Sequence, residues 1–381
     1  MLCAGVDRLE RYLSKMRGKR VGLITGPTGL DARFCSTIDL LHGQSCLHAL
    51  FSPEHGVRGD LEAGDTVDTY RDPATGVPVH SLYRADAKRL TPQMLADVDL
   101  LVFDLQDVGA RYYTYLYTLL YALEDAGRAG VPLYVLDRPN PLGGVKVEGS
   151  VLRPGFESFV GGYDLAMRYG LTIGEFAAMA NAERGLGAEL TVVRLEGWRR
   201  AMNFADWRAP WVPPSPNIAT FDAALCYPGT CLFEGTQLSE GRGTTAPFQQ
   251  IGAPYIDAEG LARHMNGLAL PGVHFLPAHF TPAASKHSGT ACHGVRLLVA
   301  DGRAFRPVDA GVHLLCHIRD AYPRAFEYLP PHREKGRAML ELLSGSEVLR
   351  NTANPRDILE AYAAESEAFA RRKRAYHLYD A

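Results

Sequence analysis

Several short stretches set acids, amides and cations at spacings that suit proton transfer and the binding of a polar ligand. Ser52-Pro53-Glu54-His55-Gly56 puts a carboxylate beside an imidazole in a segment stiffened by Pro53 and closed by Gly56. In a cleft such a pair does general acid–base work; the bland alternative is a helix-capping glutamate next to an exposed histidine. Asp104-Leu105-Gln106-Asp107-Val108-Gly109-Ala110-Arg111 is the densest stretch. Asp104 ends an apolar run, where an unpaired carboxylate is costly to bury, so a functional or network role is expected of it. Asp104 and Gln106 point the same way as alternate strand residues. Asp107 and Arg111, four apart, can pair across a helix start, or Asp107 can simply cap it. Tyr112, Tyr113, Tyr115 and Tyr117 form a stripe that is ordinarily core, yet the first two stand at a strand-end surface where rings can stack on a sugar.

Asp137-Arg138-Pro139-Asn140-Pro141 is held rigid by its prolines and presents a fixed polar trio. Arg138 and Asn140 read as substrate hydrogen-bonders, against the plainer reading of charges tied into a turn. Ser215-Pro216-Asn217 is similar, with Asn217 the group expected near a ligand. In the second half, Glu234-Gly235-Thr236-Gln237-Leu238-Ser239-Glu240-Gly241-Arg242-Gly243-Thr244-Thr245 combines glycines that permit close backbone approach with two carboxylates, an arginine and hydroxyls. It lacks the GxxxxGK[ST] spacing of a phosphate loop, and Thr25-Gly26-Pro27-Thr28-Gly29-Leu30 is not GxGxxG, so nucleotide binding is disfavoured. His279, His287 and His293 lack metal-ligand spacing, and neither a metal nor another cofactor is expected.

The elements that must position these groups are legible as apolar runs. Arg20 to Thr25, Cys46 to Phe51, Leu100 to Phe103 and Val131 to Leu136 are near-continuous, as strands buried on both faces of a parallel sheet are. Each runs straight into a polar segment, which is where such sheets bind ligands, beyond the carboxyl ends of the strands. Helical spacing over Val6 to Met16 predicts a helix beside the first strand. Tyr112 to Arg128 reads as another helix, ended by Gly127 and Gly130. Thr172 and Glu175 fit a capping box opening a helix over 173–184, and Leu190 to Leu195 reads as a strand. Trp207 to Pro216, rich in proline, can be neither helix nor strand. The expected organisation is therefore α/β: a parallel-sheet domain over 1–206, a Pro-rich crossover over 207–218, and a second α/β domain over 219–381. That second domain should hold a helix near 258–266, a strand near 294–299, and helices over 308–322 and 356–372.

Composition narrows the class. The chain has 381 residues, 46% apolar and 22% charged, with a net charge of −3. This offers no basic field for nucleic acid, and no apolar run approaches the roughly 20 residues that span a bilayer. The seven cysteines are scattered without CxxC spacing, which fits a reducing compartment rather than a disulfide framework. The start lacks a basic region followed by an apolar stretch, so a cytoplasmic location is expected, with a trimmed exported form as the alternative.

Taken together, the stretches SPEHGVRGD (52–60), VFDLQDVGARYYTY (102–115), VLDRPNPLGG (135–144), VEGSVL (147–152), SFVGG (158–162), LTIGE (171–175), SPN (215–217), YPGTCLFEGTQLSEGRGTTAPFQQIGAPYI (227–256) and CHGV (292–295) resemble one family. It is the NamZ-type exo-β-N-acetylmuramidases of peptidoglycan turnover, once known only as a domain of unknown function. The likeness spans almost the whole chain and is less regular at Ala283 to His287, on the expected rim. It implies that the first domain is Rossmann-like, with no nucleotide bound, and that the smaller second domain closes an active-site cleft between them.

The resemblance implies a glycoside hydrolase that releases terminal N-acetylmuramic acid from the non-reducing ends of peptidoglycan-derived disaccharides or oligosaccharides. A glycosidase needs a proton donor for the leaving oxygen and a second group for the anomeric carbon. Glu54 is expected as general acid, with His55 and the cleft tuning it upward. Asp104, Glu234 and Glu240 compete for the second role, and retaining, inverting and substrate-assisted routes stay open. Gln106, Arg111, Tyr113, Asp137, Arg138, Asn140, Asn217, Arg242 and Thr244 are expected around the sugar. Arg242, or failing it Arg111, is expected to fork the lactyl carboxylate. The rival classes are a non-catalytic sugar-binding protein and a peptidoglycan hydrolase of another bond; the latter normally needs a zinc cluster or an activated Ser or Cys, and neither pattern is present.

Overall fold

The apolar runs become a seven-stranded sheet in a computed structural model that describes residues 2–59, 69–84, 88–331 and 336–380. In chain order the strands of the first half are β1 (Val21–Thr25), β2 (Leu47–Ser52), β3 (Tyr70–Arg71), β4 (Pro78–Ser81), β5 (Leu100–Asp104), β6 (Leu133–Leu136), a separate hairpin of β7 (Glu148–Val151) and β8 (Ala166–Arg168), and β9 (Leu190–Val193). The large sheet runs β3-β4-β2-β1-β5-β6-β9, and every neighbour is parallel except the edge strand β3. Counted among the parallel strands alone this is the doubly wound order 3-2-1-4-5-6, whose ligand crevice opens where the order reverses, between β1 and β5. The Rossmann-like expectation is met. β1 and β5 are buried along their whole length, as strands covered by helices on both faces must be.

Local signals placed several helices correctly. Thr172 accepts from the Glu175 N–H at 3.1 Å and Glu175 accepts from the Thr172 N–H at 3.0 Å, closing the capping box at the start of helix Ile173–Glu183. Helix Tyr115–Ala129 ends on Gly130 at φ +66°. The opening segment differs from expectation. It is a 3-10 turn, Gly5–Tyr12, followed by a short helix, Leu13–Met16. Its start is fixed at the far end of the sheet, where the Gly5 N–H donates to the Asp137 carbonyl at 2.8 Å.

The second half carries a three-stranded antiparallel sheet of β10 (Gln250–Ala253), β11 (Val273–Phe280) and β12 (Cys292–Val299) in the order β10-β12-β11. β11 starts out alternating buried and exposed residues, as a sheet with one wet face does. Helices Ala258–Gly267 and Phe221–Thr230 cover its other face, and helix Pro307–Ala321 lies outside them. Phe221–Thr230 escapes sequence reading because Pro228 and Gly229 look like breakers. Gly229 is there for contact: a Cβ on it would lie 1.9 Å from the Pro307 carbonyl, with Gly311 also facing it.

The end of the second half returns to the first. Helix Pro355–Arg372 packs on the β7–β8 hairpin of the first half, where Ser366 donates to the Gly149 carbonyl at 2.7 Å and Glu365 accepts from the Val151 N–H at 2.8 Å. Lys373 then reaches the carbonyls of Gly144 and Gly170 at 2.7 and 2.5 Å, and the Tyr379 hydroxyl bonds Asp137. The larger of two hydrophobic cores runs through both halves, and the smaller lies within the first. Among the described residues no helix is long and apolar enough to cross a membrane.

Candidate active site

The loop after β2 delivers Glu54 to the sheet's carboxyl edge. His55 lies at φ +75° and Gly56 at φ +80°, and a left-handed non-glycine residue is a conformation the surroundings must impose. Helix Tyr115–Ala129, which follows β5, holds the loop from its first turn. The Thr114 hydroxyl donates to the Glu54 carboxylate at 2.6 Å. The Tyr115 hydroxyl lies 3.0 Å from the Pro214 carbonyl and 3.4 Å from that of Glu54, so the crossover is tied to the same point. Tyr83 completes the wall: burial and the neighbouring Glu54 both push its phenol up. Lys88 sits over the Tyr83 ring at 2.9 Å from the centroid and within 5.0 Å of that of Phe159.

From there a row of aromatic rings crosses into the second half. Tyr115 packs edge-on against Tyr113 with centroids 4.9 Å apart, Tyr113 against Tyr227 at 6.2 Å, and Tyr227 against Phe248 at 4.7 Å. Arg242 lies 5.0 Å over the Phe248 ring and begins a chain of charges. Its Nη2 meets Glu234 at 2.6 Å and its Nε meets Glu240 at 3.2 Å. Lys286 bonds Glu240 at 2.9 Å, the Phe233 carbonyl at 2.8 Å and the Leu238 carbonyl at 3.1 Å. The irregular stretch around Lys286 is thus wall rather than rim. It is admitted by Gly243, at φ +73°, where any Cβ would strike the Ala284 N–H at 2.4 Å. Glu240 is enclosed by its two cations. Glu234 keeps 24% of its side chain open, yet burial pushes its carboxyl up, opposed by Arg242 and reinforced by Glu240. Glu54 and the Glu234 cluster therefore flank an aromatic floor shared by the two halves.

Several residues expected at the sugar hold the scaffold instead. Asp104 is wholly buried; Arg138 grips both its oxygens, at 2.5 and 2.9 Å, and Thr37 donates to one of them. Its carboxylate is closed to an anomeric carbon. Arg111 is wholly buried too, and does not pair with Asp107. It donates to the carbonyls of Ser150, Leu165 and Leu343 at 2.7, 2.8 and 2.7 Å, so it cannot fork a lactyl group. Asp107 accepts instead from the Tyr169 hydroxyl and the Gly109 N–H, and burial pushes it up to about 7. Asp137 binds Thr172, the Gly174 N–H and Tyr379, and burial likewise pushes it up to about 7. Asn140 bridges the Leu171 carbonyl and the Leu142 N–H at 2.8 and 2.9 Å. Thr244 closes its own turn on the Gly241 carbonyl at 2.6 Å. Tyr112 and Tyr117 are core; Tyr113 belongs to the floor.

The remaining expected residues divide in two. Asn217, half-buried, makes no side-chain hydrogen bond among the described residues. Gln106 and Arg138 line a different space, a cavity of about 840 Å³ at the β1–β5 reversal, walled by Thr28, Phe34, Trp207 and Trp211. Neither Glu54 nor Glu234 lines this cavity. Sequence reading missed Tyr83, Lys88, Thr114, Tyr227 and Lys286. Of these only Thr114 and Tyr227 lie inside the motif stretches. Asp60, at the end of the first motif, lies outside the described residues.

Comparison with known proteins covers the chain from end to end. A family model described as exo-beta-N-acetylmuramidase NamZ, N-terminal, matches residues 21–222, and its C-terminal counterpart matches residues 225–379. The peptidoglycan beta-N-acetylmuramidase NamZ of Bacillus subtilis (strain 168) is 46% identical over 382 aligned positions, covering 98% of this chain and 91% of the relative. Crystal structures of two DUF1343 family proteins from Bacteroides fragilis NCTC 9343 superpose over 100% of this chain and 99% of theirs, one with a TM-score of 0.90 at 36% identity, the other with 0.78 at 28%. With both halves of the family model matched and the Glu54 loop and Glu234–Arg242 segment lying within them, the chain belongs to the NamZ exo-β-N-acetylmuramidase family.

Proposed function

We infer that this chain is an exo-β-N-acetylmuramidase, releasing terminal N-acetylmuramic acid from the non-reducing ends of peptidoglycan fragments. The observation that carries the reading is Glu54: a carboxylate on a rigid strand-end loop, steadied at 2.6 Å by Thr114 and set across an aromatic floor from a second carboxylate. Glu54 gives its proton to the leaving oxygen as the glycosidic bond breaks. Glu234 is the second group. It is the carboxylate of its cluster that keeps surface open, and Arg242 fixes its orientation at 2.6 Å. Positive charge developing at the anomeric carbon is stabilised by that carboxylate until a water adds there, its released proton restoring the acid.

The test is direct. Purified protein is incubated with N-acetylmuramyl-β-1,4-N-acetylglucosamine and with the disaccharide of reversed order, and free monosaccharides are separated by chromatography. Free N-acetylmuramic acid from the first alone is expected. Cleavage of both, or of neither, overturns the reading.

A further inference from the structure

Muramic acid differs from glucosamine by one lactyl ether, whose carboxylate is the fixed charge an enzyme can read. The arginines expected to read it are already engaged, Arg111 by three backbone carbonyls and Arg242 by two carboxylates. Lys286 is likewise fixed by Glu240 and two carbonyls. Lys88 is different. It is half-buried beside the Glu54 loop, and among the described residues its ammonium has no hydrogen bond and no carboxylate partner within ion-pair distance. What holds it is aromatic: the Tyr83 ring at 2.9 Å and the Phe159 ring at 5.0 Å from centroid to Nζ. Those rings pack on each other at 5.6 Å, and Phe159 is itself braced by Tyr121 at 6.1 Å and Tyr117 at 6.4 Å.

We propose that Lys88 binds the lactyl carboxylate of the terminal N-acetylmuramic acid and so sets the enzyme's preference for muramic over glucosamine residues. The proposal rests on the glycosidase reading above. Three observations support it. The Lys88 ammonium stands on the face of Tyr83, and that same tyrosine borders Glu54, which places the cation about one side chain from the proton donor. The lactyl ether leaves the sugar at C3, two ring carbons from the anomeric centre, so its carboxylate falls at a comparable remove from the glycosidic oxygen. Finally, aromatic faces orient an ammonium without neutralising it, which leaves its charge for a ligand. Burial pulls Lys88 down and Glu54 pulls it back up, so an arriving carboxylate would favour the charged form further.

The test pairs enzyme variants with sugars. Lys88→Met keeps the stem on the rings and removes the charge; Lys88→Arg restores the charge with a different shape. Binding of free N-acetylmuramic acid, its lactyl methyl ester and N-acetylglucosamine is measured by calorimetry, alongside kcat/KM on the aryl glycosides of both sugars and the melting temperature. Wild type is expected to favour the muramic acid over its ester by about ten- to a hundred-fold, the range of one charge-assisted hydrogen bond. Lys88→Met should abolish that preference and leave N-acetylglucosamine unchanged, and Lys88→Arg should restore part of it. An undiminished acid-over-ester preference in a folded Lys88→Met protein overturns the proposal. So do equal losses on both glycosides with a shifted pH profile, which would make Lys88 a residue that positions or charges Glu54. A wild type that binds N-acetylmuramic acid through Lys88 but cleaves neither glycoside would overturn the glycosidase reading and leave the recognition site standing.

Discussion

The polar groups at the ends of β5 and β6 and those around Glu54 and Glu234 look alike in sequence and are placed differently in the fold. Asp104, Asp107, Arg111, Asp137 and Asn140 turn inward, and each finds protein partners. Glu54, Glu234 and Lys88 keep open surface beside aromatic rings. The difference lies in what each group satisfies. Loops at the sheet edge leave backbone N–H and C=O groups without ladder partners, and a buried side chain can supply the missing bond. Arg111 alone serves three carbonyls, one of them Leu343 from the far end of the chain. A dense polar motif is therefore as good a sign of a difficult loop as of a reaction site.

The contrast is sharpest where activity and stability separate. Glu54→Gln keeps the shape and the bond from Thr114 but removes the proton, so turnover of a glycoside with a poor leaving group should fall about 10²- to 10⁴-fold with the melting temperature unchanged. Asp104→Asn should do the reverse. Removing one partner of a buried ion pair leaves the Arg138 charge uncompensated and costs about 3–5 kcal/mol, read as a lower urea midpoint. Turnover per folded molecule at low temperature should stay near wild type. A folded Asp104→Asn protein without turnover would return Asp104 to the chemistry and dissolve the distinction.

The most gradual effect concerns pH. Asp107 and Asp137 are each raised to about 7, above the ordinary unfolded value of about 3.9. Between these limits the folded protein keeps protons that the unfolded chain has released, so stability falls as pH rises from about 4 and levels off above about 7. The slope is about 1.4 kcal/mol per pH unit for each group. Asp107→Asn, which can still accept from Tyr169 and Gly109, should remove one group's share from a series of urea melts across that range. An unchanged slope would mean that the group is charged in the folded state.

The large sheet was legible because buried parallel strands write themselves as apolar runs, and the capping box at Thr172 because its two bonds need particular residues three apart. The loop carrying Glu54 was legible through its motif as a strand-end turn. Tyr83, Lys88 and Lys286 were not, because nothing in their own neighbourhoods marks them; each acquires its role from a residue far away in sequence. Phe221–Thr230 was hidden for a related reason. Its Pro228 and Gly229 answer to the helix that crosses it, so local propensity misreads them. The return of the last helix to the first half was invisible too, since amphipathic spacing tells which face is buried but not what covers it.

That return has a consequence for how the protein comes off the ribosome. Domains usually fold in order of synthesis, the first while the next is still being made. Here the early half contains Arg111, whose third carbonyl partner is Leu343, and Asp137, whose hydroxyl partner includes Tyr379. Until those late residues emerge, the Rossmann-like half carries a guanidinium and a carboxyl enclosed without their full set of bonds. Translation thus leaves the Rossmann-like half unfinished until Leu343 and Tyr379 have been made, so a chain stopped before them offers that half to proteases with these bonds unmade.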